Sequence, residues 1–320
     1  MGALIGVAIG DALGMPGQTL SRSAIAAAYG RIAGFVDPVP DHPVSHGLCA
    51  GQLTDDTEQT LLLARRLIAD RGGFDEAFWA ADLLDWEAGV RARGLRDLLG
   101  PSTKAALEAL KAGALPGQTG WNGTTNGAAM RVAPVGISTL PDLARIVDRV
   151  EAVSRLTHAT GEALAAAAAV AMVISQGVAG ASFDDSLPLA LAAARAGNLR
   201  GARVGEADMA GRIILALEVA ASGEAALADR VGTSVQSRQS VAAAFGVVRI
   251  AGGDPWKAAL IAANIGDDTD TIGAIACAMA GACAGVQAFP ADPVAQLIAQ
   301  NGLLLDPLVE GLLALRAGVA

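Results

Sequence analysis

The amino-acid sequence predicts an all-α fold, arranged as a single-domain, compact orthogonal assembly of helices. Alanine is abundant, and aromatic residues make up only 3% of the 320 residues. Alanine has the highest helix propensity, whereas β-sheets are rich in aromatic and β-branched residues. No segment alternates apolar and polar residues over the length of a strand. Because no Ser/Gly-rich linker and no fixed-period repeat divides the chain, we expect one domain over residues 1–320.

Helical periodicity is clearest in two segments. Within residues 141–156, apolar residues recur three and four positions apart, and charged residues fall mainly on the other side. The second segment, Thr57–Asp70, is followed by Gly72-Gly73, which predicts its end. Glycine and proline punctuate the other predicted helices, which are Phe74–Gly89, Ser102–Gly113, Gly161–Gly177, Asp184–Gly197, Glu206–Ser222, Ser237–Gly252, Pro255–Asn264, Thr271–Val286 and Pro293–Asn301.

Three stretches contain more loop residues than a helical assembly requires. They are Gly30–Thr57, Gly113–Ser138 and Asn264–Thr271. Long irregular loops in compact helical proteins usually carry function. We therefore expect the functional residues to lie in or beside these three stretches.

Charge and hydropathy limit the possible partners. The formal net charge is −9 and no Lys/Arg run occurs, which argues against nucleic-acid binding. The N-terminus lacks the basic region of a signal peptide. The uncharged segment Thr271–Ala291 is long enough to span a membrane, but its Ala/Gly composition favours a helix packed inside the protein. We expect no membrane partner.

The cysteines point to a reducing compartment. Cys49, Cys277 and Cys283 are odd in number and form no C-x-x-C motif, which disfavours disulfides and thiolate zinc sites. We expect them to be small, buried apolar residues in a cytoplasmic protein.

Two acidic segments carry the clearest chemistry. Thr54-Asp55-Asp56-Thr57 stands at the start of a predicted helix, where capping of the helix is a sufficient alternative explanation. Gly266–Thr271 supplies three carboxylates within four residues, and no Lys or Arg lies nearby in sequence. A divalent cation such as Mg²⁺, Mn²⁺ or Ca²⁺ would balance these charges with oxygen ligands. An EF-hand is excluded, since Ile272 and Met279 occupy ligand positions of that loop.

Six motifs in order along the chain resemble those of the ADP-ribosylglycohydrolase family, and the resemblance runs from end to end. The motifs are Gly6–Gly14, Thr54–Thr57, Asp97–Thr103, Asn126–Arg131, Thr157-His158 and Gly266–Ile272. The resemblance implies a central metal-lined cleft with two Mg²⁺ ions, or Mn²⁺ in their place. The ligands carried over are Thr54, Asp55, Asp56, Asp268, Asp270 and Thr271.

The activity that the resemblance implies is hydrolysis at the anomeric carbon of an ADP-ribosyl or related ribosyl group. The substrate would be a small molecule or a protein-linked ADP-ribosyl group. Asp56 and Asp97 are the candidates for activating water. Substrate contacts are expected from the Asn-Gly loop and two further side chains, namely Asn126, Gly127, Ala128, Met130, Arg131, His158 and Trp121. A salt bridge for Arg131 and a capping or core role for His158 are the alternatives.

Gln18 departs from the family pattern, because many members carry Glu at this position. Three interpretations remain open. Another carboxylate, Asp56 or Asp97, does the work of the missing Glu. Alternatively, Gln18 lines a catalytic pocket for a smaller N-glycoside such as a nucleoside. The third interpretation is a non-catalytic, crystallin-like ligand-binding protein. The oligomeric state is open as well.

Overall fold

The computed structural model describes residues 1–95, 98–204 and 208–318. Within these ranges the protein contains seventeen α-helices and no β-strand, which confirms the all-α prediction. The helices are α1 Gly2–Gly14, α2 Arg22–Tyr29, α3 Asp55–Ala69, α4 Glu76–Ala92, α5 Pro101–Lys111, α6 Gly127–Met130, α7 Ala133–Ser138, α8 Leu143–Ser154, α9 Gly161–Val178, α10 Phe183–Asn198, α11 Met209–Val219, α12 Gly223–Val231, α13 Ser237–Ala251, α14 Pro255–Ala262, α15 Thr269–Ala284, α16 Ala291–Asn301 and α17 Asp306–Ala317.

The periodic segments fold as predicted, and most boundaries differ by only a few residues. The amphipathic segment forms α8, and Gly72 ends α3 with a positive φ of 81°. The helix predicted over Glu206–Ser222 is α11, which runs from Met209 to Val219, with a 3₁₀ turn over the last three predicted residues. Glu206 and Ala207 lie outside the described residues. The predicted loop 113–138 contains two short helices, α6 and α7. Segments this short carry too few residues to show periodicity.

The first helix, α1, packs so closely against α15 that the two backbones are in contact. A Cβ atom added at Gly6 would lie 2.1 Å from the carbonyl oxygen of Cys277, and one at Gly10 would lie 2.1 Å from the carbonyl of Gly273. Gly2 and Gly14 meet α15 in the same way, so the glycines of α1 repeat every fourth residue on one face. Only glycine allows this approach.

Helices α9 and α15 are buried core helices. Most of the uncharged segment Thr271–Ala291 lies in α15, whose residues from Thr269 to Gly281 are all buried. This burial agrees with the sequence interpretation of the Ala/Gly-rich segment as a packed helix. Helix α9 has the length and apolar composition of a membrane span, but 89% of that span is buried inside the protein.

The expectation of buried cysteines holds only in part. Cys277 in α15 is buried, whereas Cys283 in the last turn of this helix is half-buried and Cys49, in the loop before α3, is exposed.

Alanine at position 10 tests the contact between α1 and α15. Gly10→Ala should lower the free energy of unfolding by about 3 kcal/mol, at the upper end of the usual range for overpacked cores, because the new methyl group overlaps the backbone of Gly273. Urea unfolding followed by circular dichroism measures the change.

Gly89→Ala in α4 is the matched control. A Cβ atom there meets nothing within 4 Å. This variant should gain about 0.5–1 kcal/mol from helix propensity alone. Equal effects of the two substitutions would contradict the close packing.

Candidate metal centre

Three helices bring carboxylates together at one buried point. Asp11 lies in α1, Asp56 in the first turn of α3, and Asp270 in the first turn of α15. One oxygen from each of these carboxylates lies within 4.8 Å of the others, and all three residues are buried. Asp56 and Asp270 also lie at helix N-termini, whose positive dipole ends favour anions. The two acidic segments, far apart in sequence, therefore form one cluster.

Asp11 connects this cluster to the start of α3. Its carboxylate accepts hydrogen bonds from the backbone N–H of Thr54 at 3.0 Å and of Thr57 at 3.2 Å. The hydroxyl groups of both threonines donate to it as well. Asp11 was not among the predicted site residues. The signal for it was present, because it is the only charged residue within an otherwise apolar helix.

The helix-capping interpretation of the first motif also holds in part. Thr54 is the N-cap of α3, and its hydroxyl accepts a long hydrogen bond of 3.4 Å from the N–H of Asp56. The same hydroxyl donates to the Asp11 carboxylate at 2.8 Å. Capping therefore accounts for Thr54 and leaves the adjacent carboxylates unexplained.

Burial raises the pKa of every carboxyl group in the cluster, and repulsion between carboxylates adds to the shift for Asp55, Asp56 and Asp270. The pKa values of Asp55, Asp56 and Asp270 lie well above the usual range, mainly through desolvation and then through repulsion by neighbouring carboxylates. Desolvation raises the pKa of Asp11 to about 6 and that of Asp268 to about 7, although hydrogen bonds oppose both shifts. Five buried carboxyl groups at one point are unfavourable without a counter-charge.

The cluster has oxygen atoms that no protein group satisfies. Oδ1 of Asp56 and Oδ1 of Asp270 are buried and have no hydrogen-bond partner within the described ranges. Nearby hydroxyl groups add further oxygens, since Thr271 Oγ1 lies 3.3 Å from Asp56 Oδ2. Unsatisfied carboxylate and hydroxyl oxygens are the donor set of a hard divalent cation. The residues present therefore fit a Mg²⁺-type ion.

The nearest buried cation does not neutralise the cluster directly. Arg131 is 1% exposed and donates through Nη1 to Gln59 Oε1 at 2.7 Å and through Nη2 to the hydroxyl of Thr157. Gln59 Nε2 in turn donates to Asp55 Oδ2 at 3.2 Å. Burial lowers the pKa of Arg131 to about 10, and Asp55 opposes this shift. Arg131 therefore reaches Asp55 only through the side-chain amide of Gln59.

A small cavity opens directly beside the cluster. It has a volume of about 180 Å³, and four proposed metal ligands lie on its wall: Asp55, Asp268, Asp270 and Thr271. Thr54 and Asp56 are buried and absent from this wall. The cavity gives an incoming molecule access to one side of the carboxylates.

The Asn-Gly loop also lines this cavity. Asn126, Gly127 and Met130 line it, and Asn126 Nδ2 donates to Ser240 Oγ at 2.9 Å and to the carboxylate of Asp268. Ala128 is 1% exposed and does not reach the wall. The loop therefore connects the cavity directly to a proposed metal ligand.

His158 supports this loop from behind. Its Nε2 lies 3.1 Å from Thr125 Oγ1 and its Nδ1 lies 2.7 Å from Thr157 Oγ1. Burial, and then the charge of Arg131, hold the pKa of His158 well below its usual range, so the ring is neutral at neutral pH. A Cβ atom at Gly127 would lie 2.7 Å from the His158 ring, so glycine is required there.

The remaining predicted residues lie in different environments. Gln18 lines the cavity and donates through Nε2 to Ser45 Oγ at 2.8 Å. Trp121 is 52% exposed and is not on the cavity wall. Asp97 lies outside the described residues, although Leu98 and Leu99 just after it line the cavity.

Comparison with known proteins assigns the chain to a family. A family model described as ADP-ribosylglycohydrolase matches residues 1–319. The chain belongs to the ADP-ribosylglycohydrolase family. The resemblance drawn from the six motifs is therefore confirmed, and so is the expectation of a glycosidase-type hydrolase.

Individual relatives cover most of the chain. The uncharacterized protein YegU of Escherichia coli is 36% identical over 95% of this chain and 92% of its own length. The ADP-ribosylarginine hydrolase Tri1 of Pseudomonas putida is 29% identical over 91% of this chain and 72% of its own length. A solved structure described as an ADP-ribosylglycohydrolase-related protein complex matches with a TM-score of 0.69 and 27% identity, over 100% of this chain and 97% of that chain.

Removing one buried carboxylate should stabilise the metal-free protein. In the presence of a chelator at mildly alkaline pH, Asp270→Asn should raise the melting temperature by about 2–4 °C, because it removes repulsion from Asp56 and Asp268. The same variant should lose the stabilisation that Mg²⁺ gives the wild type. Differential scanning fluorimetry measures both effects.

Asp85→Asn, at an exposed position of α4, is the control and should change neither quantity. A metal-free Asp270→Asn protein that melts below the wild type would show that the carboxylate is neutralised by the protein itself.

Proposed function

We propose that this protein is a metal-dependent hydrolase that cleaves the N-glycosidic bond of a protein-linked ADP-ribosyl group, using two Mg²⁺ or Mn²⁺ ions. The observation that supports this proposal most strongly is the meeting of Asp11, Asp56 and Asp270 beside a cavity, with two buried carboxylate oxygens left without partners. Family membership supplies the reaction class, and relatives named as ADP-ribosylarginine and ADP-ribosyl-[dinitrogen reductase] hydrolases supply the substrate class.

The positions of the side-chain oxygens relative to the cavity support the proposed metal ligands. Asp55, Asp268, Asp270 and Thr271 would hold the ions from the cavity wall, and Thr54 and Asp56 would hold them from behind. Asp11 would act as a positioning residue, because its carboxylate is occupied by hydrogen bonds from Thr54 and Thr57. When bound, such ions orient the ribose hydroxyls and a water molecule and stabilise negative charge.

The chain itself supplies charge and position for the reaction. The carboxylates of Asp55 and Asp268 face the cavity and would stabilise positive charge that develops at the anomeric carbon. Asp56 is not on the cavity wall, which favours a ligand role for it over proton transfer from water. Asp97 remains the other candidate for that proton transfer.

The Asn-Gly loop would recognise the substrate. Asn126, Gly127 and Met130 line the cavity and would contact the sugar. His158 and Arg131 would position this loop and Asp55 from behind, since both are buried and already hydrogen-bonded to the protein. Ala128 would act through packing, and Trp121 would contact only a substrate that extends beyond the cavity.

A smaller N-glycoside such as a nucleoside is the second candidate substrate. The cavity volume of about 180 Å³ is below the usual size of a ligand pocket, roughly 300–1,000 Å³. Gln18 also places a neutral amide on the wall where many family members carry a carboxylate. Both observations favour a compact substrate.

A metal-supplemented hydrolysis assay distinguishes the two candidates. We expect release of ADP-ribose from ADP-ribosyl-arginine in Mg²⁺ or Mn²⁺, and a loss of about 100-fold in Asp268→Asn and in Asp270→Asn through lost electrostatic stabilisation. Asp85→Asn should keep wild-type turnover. Nucleoside cleavage without release of ADP-ribose would favour the second candidate, and metal-independent turnover would contradict both.

Gln18→Glu tests the contribution of the amide to substrate choice. The added carboxylate can accept a proton from water at the cavity wall, so we expect the ratio of ADP-ribosyl to nucleoside hydrolysis to change by about tenfold or more. Ser45→Ala is the control, because it removes the hydrogen-bond partner of Gln18 without adding charge. An unchanged substrate profile in Gln18→Glu would show that Gln18 has no part in the reaction.

A further inference from the structure

A second cavity, larger than the one at the metal centre, is lined by a different set of residues. Its volume is about 760 Å³, against about 180 Å³ for the cavity at the carboxylates. It lies against α3, where Glu58, Leu61, Leu62 and Arg65 face it at helical spacing, and its far side is formed by residues 301–304. A volume of this size is typical of small-molecule sites.

A thin apolar wall separates the two cavities. Met15, Leu48 and Leu98 form a small cluster apart from the main core, and Val44 and Leu95 pack against it. Leu48 and Leu95 line the large cavity, whereas Val44 and Leu98 line the cavity at the metal centre. A molecule in the large cavity would therefore stay outside the proposed catalytic site.

The body of the cavity is apolar. Trp86, Leu53, Leu61 and Leu62 line it, and Leu304 lies at its edge with 80% of its surface exposed. An exposed leucine beside further leucines and a tryptophan leaves apolar surface available for an uncharged ring or branched chain.

The described lining of the cavity leaves several hydrogen-bond donors without partners. Among the described lining residues Glu58 is the only carboxylate, and it pairs bidentately with Arg93 at 2.7 Å and accepts from the indole N–H of Trp86. Asn301 donates through Nδ2 to two backbone carbonyls, so its amide oxygen is an unused acceptor. Gln52 has used its amide oxygen to accept from Cys49 N–H, so its N–H groups remain. Arg65 is exposed and makes no side-chain hydrogen bond or ion pair with any residue that the structure describes.

We propose that this cavity binds a small amphipathic anion. Its apolar body would pack on Trp86 and the leucines, and its single carboxylate, sulfonate or phosphate group would pair with Arg65. Arg65 is an exposed cation that pairs with no described residue, and a charge-assisted contact would form between it and the anion. The proposal does not rest on the proposed reaction, because the described lining of this cavity contains none of the proposed metal ligands.

Two fluorescent probes of the same shape test the site. The anion 8-anilinonaphthalene-1-sulfonate should bind the full-length protein saturably, whereas the neutral N-phenyl-1-naphthylamine lacks the sulfonate that would pair with Arg65. Arg65→Glu should weaken binding of the anion by about tenfold, the size expected for a charge-assisted contact. Binding of the neutral probe should stay unchanged in this variant.

Two further variants complete the experiment. Arg195→Glu, an exposed arginine on α10, is the matched control and should leave both probes unaffected. Leu304→Ser should weaken both probes several-fold, because it removes apolar surface at the edge of the cavity. Equal affinity of the anion for Arg65→Glu and Arg195→Glu, with both proteins folded by circular dichroism, would overturn the proposal.

Discussion

The contact between α1 and α15 is the constraint on which the site depends. Glycines on α1 bring the two backbones together. This close contact extends as far as Gly14, where an added Cβ atom would lie 2.4 Å from the Cα atom of Asp270. Asp11 lies in the same last turn of α1. The spacing of two helices therefore determines the spacing of two carboxylates. Larger side chains at these glycines would move the carboxylates apart as well as destabilise the core.

The second constraint is electrostatic. Five carboxyl groups are buried together, their pKa values are raised, and the nearest buried arginine reaches them only through Gln59. A fold that holds such a cluster must either protonate it or bind cations there. Two features favour cations: the unpartnered oxygens of Asp56 and Asp270, and the cavity that reaches the cluster. The same buried charge that destabilises the metal-free protein would thus provide the affinity for metal.

Much of this arrangement could be predicted from the sequence. The Ala-rich composition indicated helices, and the lack of a nearby cation around Asp268 indicated a metal site. Asp11 was missed because the motif Gly6–Gly14 was matched only as a whole, and its interior aspartate gains hydrogen-bond partners only when α3 docks against it. Helices α2, α12 and α17 were missed because they are short or begin without a strong periodic pattern.

The interpretation of substrate-binding residues depended on tertiary structure that motif matching does not provide. Arg131 and His158 belong to matched motifs, yet both are buried and bonded to protein groups behind the cavity. Arg131 directly follows Met130 in sequence, but a helical turn can direct neighbouring residues to opposite sides of a wall. Gln18 could be identified from the sequence alone, and the structure adds its hydrogen bond to Ser45.

The most direct test of the account is a crystal structure of the protein grown in Mn²⁺, with anomalous diffraction used to locate the metal. We predict two anomalous peaks between the N-termini of α3 and α15, at coordinating distances of roughly 2.0–2.6 Å from carboxylate oxygens of Asp56 and Asp270. A map without metal there, in which a lysine or arginine side chain pairs with these carboxylates, would contradict it.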